Sequence, residues 1–207
     1  MRSAWTPADP EALPAQVADW LATAAGVVRV AVDGDPATSP DAFAAALVEP
    51  LRTRGRPAVP VRAVDFLRDA SLRFEHGRED VESYLDWVDT DALRREVLLP
   101  AVEEGRYLPT LRDPRTNRST REPAREIPPA AVVLVSGSLL IGRDLPFDRV
   151  IHLTLSPAAR RRRTPDGDRW TLPAYDQYDR AVRPAETADL VVKLDDPRHP
   201  AVRRLAG

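Results

Sequence analysis

Residues 27–41 read Val27-Val28-Arg29-Val30-Ala31-Val32-Asp33-Gly34-Asp35-Pro36-Ala37-Thr38-Ser39-Pro40-Asp41. The first six form a β-branched run that suits a short strand, and Asp33-Gly34 closes it. Ser39-Pro40-Asp41 then opens a helix that the spacing of Phe43, Leu47 and Leu51 extends over about 41–54. The same alternation continues on either side. Residues 11–25 place Val17, Trp20, Leu21 and Ala24 at helical spacing before Gly26. Ala58 to Val64 is a second strand, interrupted by Pro60. Asp89 to Glu104 carries Leu93, Val97 and Leu98 as a helical apolar stripe. Ala131 to Val135 is the clearest buried strand, stopped by Ser136-Gly137, and Arg149 to Leu155 and Asp189 to Leu194 supply two more. Apolar strands separated by helices predict an α/β domain of three layers around a mostly parallel five-stranded sheet. Ligands of such sheets bind beyond the carboxyl ends of the strands, so the loops after Val32, Val64 and Val135 are the ones that matter. The reading gives one domain over 1–207, with an N-terminal helix in 1–25, an irregular insert at 105–130 and a helical region at 156–183.

Composition narrows the chemistry. The chain has 207 residues, 43% hydrophobic and 30% charged, with a net charge of −2. That balance gives no global attraction to nucleic acid or an anionic membrane. No apolar run approaches the roughly 20 residues of a membrane span. Residues 1–14 lack the apolar core of a signal peptide, so a cytoplasmic address is expected. There is no cysteine, which excludes disulfides and thiolate metal sites. His76, His152 and His199 show no metal-ligand spacing, so no metal site is expected. His152, inside a strand, reads as structural. Twenty-one prolines keep the elements short, and Lys193 is the single lysine among 30 basic residues.

A strand, a Gly-containing turn and a helix make the frame of a phosphate-binding loop, whose pattern is G-x-x-x-x-G-K-[ST]. Laid without gaps on residues 34–41, only Gly34 matches. Ser39 stands at the second glycine, Pro40 at the lysine and Asp41 at the magnesium-binding hydroxyl. Pro40 removes a donor amide and the cation together. Asp41 puts a carboxylate where polyphosphate charge would sit, and one like-charge pair at ~4 Å costs about 4 kcal/mol at an effective dielectric of ~20. Ser39-Pro40-Asp41 reads instead as a self-capped helix start. Ser39 is the N-cap, Pro40 the first helical residue, and Asp41 the acid of the first turn, with Thr38 and Asp41 as a weak capping box.

Several segments, in order, resemble the uridine kinase-like branch of P-loop nucleoside kinases. They are VAVDG (30–34), RGRP (54–57), VDF (64–66), HGRED (76–80), YLDWVD (84–89), DALRR (91–95), AVVLVSG (131–137) and VRPAETADLVV (182–192). The resemblance implies a P-loop NTPase-like domain and ATP-dependent phosphoryl transfer to a small hydroxyl acceptor, with ATP and Mg as cofactors. It departs from the family at the loop just described. It departs again at Ser136, where members carry an acid before the glycine that ends the third strand.

Carried over residue by residue, the resemblance implies Asp65 as catalytic base, with a surface turn acid as the alternative. It implies Arg78, Tyr84 and Asp86 in the acceptor pocket, where structural pairing of Arg78 and partial burial of Tyr84 are the alternatives. Gly34, Ser39 and Asp41 occupy the nucleotide-loop positions. Arg160 and Arg162, in the run Arg160-Arg161-Arg162-Arg163, match phosphate-facing lid arginines, or else form a solvated basic helix face. Two functions follow. One is a nucleoside or small-molecule kinase homologue with weakened transfer; the other is a silent relative that binds a small nucleoside-like or sugar-like ligand, or a partner, in the same cleft.

Overall fold

In the computed structural model, which describes residues 4–204, the run that begins at Val28 is the middle one of five parallel strands. Residues 1–3 and 205–207 of the expected 1–207 span, and the first three of the 1–25 stretch, lie outside the described residues. In chain order the elements are β1 (Thr6–Pro7), α1 (Leu13–Ala22), β2 (Val28–Gly34), α2 (Pro40–Thr53), β3 (Ala58–Arg62), α3 (Ala70–Arg73), α4 (Val81–Leu85) and α5 (Thr90–Leu93). A π-helical turn, Arg94–Leu98, leads into α6 (Leu99–Glu103). Then come β4 (Arg106–Tyr107), β5 (Arg125–Glu126), β6 (Val132–Gly137), β7 (Arg149–Thr154), α7 (Pro157–Arg163), α8 (Leu172–Ala181), α9 (Pro184–Thr187), β8 (Leu190–Lys193) and β9 (Ala201–Arg204).

The sheet has seven strands in the order β1-β9-β8-β7-β2-β6-β3. The five expected strands are there and run parallel. The expected count of five is corrected by β9 and β1, which add antiparallel beyond β8. Pro60 fits its strand because β3 is the last strand on its side, where a missing amide costs least. Ser136 and Gly137 do not stop β6; they are its last two residues.

Alternation along the strands divides the core. Val28, Val30, Val32, Val132, Leu134, Ile151 and Leu153 pack with side chains of α1 and α2 that include Val17, Leu21, Leu47 and Leu51. Val59, Val61, Val133 and Val135 face the opposite way and pack with Phe66, Leu93, Val97 and Leu98. Burial of each such side chain stabilises by about 1.5–3 kcal/mol. The expected helix over 89–104 is continuous in space but carries the π-helical turn. Pro100 has no amide to give to the carbonyl of Glu96, and the amide of Leu108 takes that carbonyl at 2.8 Å. The insert at 105–130 is mostly irregular, with a two-stranded ribbon of β4 and β5 that the sequence reading did not anticipate.

Candidate functional site

Register brings the carboxyl ends of the parallel strands level: Asp33 lies opposite Gly137, Arg62 opposite Ser136, and Gly34 opposite Leu153. Above them opens a cavity of about 560 Å³. Its walls come from the loop after β2 (Pro36, Ser39, Pro40, Asp41), the turn after β3 (Ala63, Val64, Leu67), Tyr84, Trp87 and Val88, and the end of β6 with its loop (Ser136–Leu139). These are the three loops that the strand pattern singles out.

The loop after β2 folds onto itself. Gly34 is required there, because a Cβ would lie 2.5 Å from Thr38 Oγ1 and 2.9 Å from the Leu153 carbonyl oxygen. Asp35 caps a short 3-10 turn, Pro36–Thr38, its Oδ1 accepting from the Ala37 amide at 2.8 Å. The Thr38 amide donates to the Asp35 carbonyl and the Ser39 amide to the Pro36 carbonyl. With prolines at 36 and 40, every amide position from 36 to 40 is either absent or already bonded within the loop.

Ser39 does stand at the N-cap of α2, but in left-handed backbone (φ 57) and with no capping bond from its side chain. The expected box of Thr38 and Asp41 is not formed: the Thr38 hydroxyl donates to the Asp35 carbonyl at 2.6 Å. Asp41 lies in the first turn of α2, as read, yet its Oδ1 accepts from the Ser136 hydroxyl at 2.5 Å rather than from the helix amides. The self-capping side chain is therefore Asp35, one turn earlier. Sequence reading missed it because Asp35 precedes a proline-led 3-10 turn rather than the long helix.

Arg160 is 4% exposed and lies under the loop. Its guanidinium meets Asp179 at 2.7 Å, Asp176 at 3.3 Å and Asp35 Oδ2 at 3.3 Å. Burial pushes the Asp35 carboxyl above its ordinary range; the Ala37 amide and Arg160 pull it back, and Asp179 adds to the rise. Asp35 Oδ2 and Arg160 Nε, though close, form no aligned hydrogen bond. Arg162 is exposed on α7 and forms none of the ion pairs found among the described residues. The run of arginines thus divides: Arg160 is buried, whereas Arg161 and Arg162 form an exposed face.

The remaining expected site residues are scattered around the cavity. Tyr84 lines it, its hydroxyl 2.8 Å from that of Tyr175. Asp65 does not line it. Arg62 holds the Asp65 carboxylate at 2.6 and 2.9 Å, and Asp65 borders a separate open depression of about 650 Å³ with Thr110, Asp113 and Arg115. Arg78 is exposed and sits 4.9 Å over the Phe74 ring, not against the acid expected of it. Asp86 pairs with Arg143 at 2.6 Å outside the cavity wall.

Two groupings escaped the sequence. Tyr84, Trp87, Trp170 and Tyr175 form an aromatic cluster with centroids 4.9–6.0 Å apart, edge-to-face around Tyr84 and tilted between the two tryptophans. Burial raises both tyrosine hydroxyls out of their ordinary range, Tyr175 most. Below the cavity floor, Asp33 is wholly buried and joins His152 Nδ1 at 2.8 Å, the Tyr178 hydroxyl at 3.2 Å and the Leu140 amide at 2.9 Å. His152, read as structural from its place in a strand, is buried in β7 and bonded to Asp33. Among the described residues, no group of three His, Cys, Asp or Glu is placed to hold a metal ion, and no helix is long and apolar enough to cross a membrane.

No family model matches the chain, and no curated protein matches it. Solved structures do. The chain is similar to a possible uridine kinase from Bacillus stearothermophilus, at 18% identity and a TM-score of 0.68, over 85% of this chain and 97% of that one. It is similar to a putative fructose transport system kinase from Silicibacter sp. TM1040, at 19% identity and a TM-score of 0.57, over 85% and 89% of the two chains. It is similar to the protein YGR205w at 9% identity and a TM-score of 0.59, over 96% and 100%. Identities this low speak to architecture alone, and on architecture they agree with the parallel sheet and its flanking helices: the chain has the P-loop kinase-like fold.

Proposed function

We propose that this chain keeps the cleft of a P-loop kinase-like protein as a small-molecule binding site, with phosphoryl transfer lost or severely weakened. The observation that carries the reading is the loop at 34–41. A working loop aims backbone amides and a lysine at the β- and γ-phosphates while a hydroxyl and an acid hold Mg²⁺. Here the amides of Ala37, Thr38 and Ser39 bond within the loop, and residues 36 and 40 have none. Asp35 and Asp41 add two carboxylates, and Arg160, the cation that meets Asp35, is already paired with three acids. ATP and magnesium, implied by the resemblance to uridine kinase-like proteins, do not fit these residues. Loss of one preorganised donor alone typically lowers rate by about 10²–10³.

The competing enzyme reading needs Asp65 as a free base toward the cavity, and the bidentate hold of Arg62 weighs against it. The cavity itself, about 560 Å³ with aromatic walls, suits a small organic molecule. Calorimetry with Mg·ATP tests the reading: no heat of binding is expected at micromolar to millimolar nucleotide. Micromolar, magnesium-dependent binding would overturn it. A thermal-shift screen of nucleosides and sugars bears on the ligand, since a compound at 100 times its dissociation constant stabilises by about 2.7 kcal/mol.

A further inference from the structure

The charge around the cavity has a sign. Asp41 is the one charged side chain among its lining residues, and its Oδ1 alone is engaged, by the Ser136 hydroxyl at 2.5 Å. The wall at Tyr84 backs onto more acid. The negative charges of Asp35 and Asp168 both act on the Tyr84 hydroxyl, and Asp176 and Asp179 share Arg160 with Asp35. Of the cations nearby, Arg62 is taken up bidentately by Asp65. Arg73 lies 5.1 Å from the centroid of Trp87 and Arg160 is enclosed by its three carboxylates. Arg143, whose Nε lies 3.4 Å from the Leu139 carbonyl, is paired with Asp86, and the charge of Asp41 also acts on Arg62. With the Arg62–Asp65 and Arg143–Asp86 pairs set aside, the five acids named stand against Arg73 and Arg160. Beside the serines Ser39, Ser136 and Ser138, most of the remaining lining is apolar or aromatic, Ala63, Val64, Leu67, Trp87, Val88 and Leu139 among it.

We infer that the cavity takes an organic ammonium ion, an amine with an apolar or aromatic body, with Asp41 as its counter-charge. This rests on the reading of the cleft as a small-molecule site and gives that site a ligand class. A protonated amine gains a charge-assisted hydrogen bond from the free lone pairs of Asp41. Its body replaces water against the apolar wall, and the electron-rich faces of aromatic residues attract its charge. A phosphorylated or carboxylated ligand of the same size meets Asp41 and gains neither. The preference inverts the one that a phosphate-binding loop imposes at the same place.

Three probes with one indole body and different charge test it: tryptamine, tryptophol and indole-3-acetate, titrated calorimetrically against the full chain. Tryptamine is expected to bind roughly tenfold more tightly than tryptophol, and indole-3-acetate more weakly than either. Asp41→Asn keeps an acceptor for Ser136 and is expected to erase the advantage of tryptamine while leaving tryptophol unchanged. Ser136→Ala, which removes the hydroxyl but not the carboxylate, is expected to keep the advantage. Equal affinity of tryptamine and tryptophol, tightest binding of the acid, or no binding of any of the three at millimolar concentration overturns the amine assignment. Each of those results with no Mg·ATP binding leaves the silent-loop reading standing. Nucleotide binding together with amine preference removes the loop reading alone.

Discussion

Two buried carboxylates stand two residues apart at the end of β2 and live differently. Asp33 is 0% exposed, and both of its oxygens are bonded, to the Leu140 amide on one side and to His152 and Tyr178 on the other. Asp35 is 6% exposed; one oxygen accepts from Ala37, while the other faces Arg160 at 3.3 Å without an aligned bond. Burial is nearly the same in the two, so satisfaction separates them. Asp33 ties β2 to β7, to α8 and to the loop after β6, and belongs to the frame. Asp35 holds a loop closed beside the candidate cleft with bonds that are close but imperfect. A buried polar group left partly bonded calls for a physical explanation, and Arg56, Arg112, Arg149 and Arg203 each leave a buried Nε in the same state.

The largest blow to this contrast is Asp33→Ala. It strands a buried amide, a phenol and an imidazole at once, and a loss of about 3–5 kcal/mol is expected in urea denaturation. A loss under about 1 kcal/mol would mean that the three donors find other partners and that Asp33 is no keystone. Arg160→Ala comes next. It leaves Asp35 buried without a counter-charge, and the half-exposed Asp176 and Asp179 turn to water, so about 2–3 kcal/mol is expected. Adding Asp35→Asn to Arg160→Ala should recover part of that loss, and strict additivity of the two changes would sever the pair.

The smallest effect has the opposite sign. Asp35→Asn keeps the acceptor for Ala37 and removes a carboxylate whose burial raises its pKa above the ordinary 3.8. In the native state Asp35 releases its proton at higher pH than in the unfolded chain, so its charge lowers stability as pH climbs through that window. The asparagine variant should therefore match the native chain near pH 3 and gain on it as pH rises toward 7. Chemical denaturation at several pH values reads the difference. An asparagine variant that instead falls behind the native chain as pH rises toward 7 would mean that Arg160 outweighs desolvation at this site.

Much of this architecture can be read from residues alone, for a plain reason. Runs such as Val132-Val133-Leu134-Val135 are apolar on both faces, and only a sheet covered by helices on both sides buries them. The margins are another matter. Thr6-Pro7 and Ala201–Arg204 have no apolar alternation, and their pairing follows from what the chain ends happen to lie beside. The candidate cleft lies where strand ends predicted one, and its bonding was not legible. Strand ends predict where a cleft opens, whereas the partners of Arg160 come from residues 35, 176 and 179, which no local pattern brings together. Asp33 misled in a similar way. In sequence Asp33-Gly34 looks like a turn; in space both residues complete the strand, and the carboxylate turns inward to a histidine 119 positions away.

Pro7 and Pro60 sit on the two outermost strands of the seven, β1 and β3. A passing chain that tried to lengthen the sheet from either rim would find a place in the ladder with no hydrogen to share. Open sheets are prone to zip together edge to edge when protein is concentrated, and an imino acid on each rim is a barrier to that kind of clumping. These two prolines, both on strands, thus stand where edge-to-edge pairing of the sheet would begin.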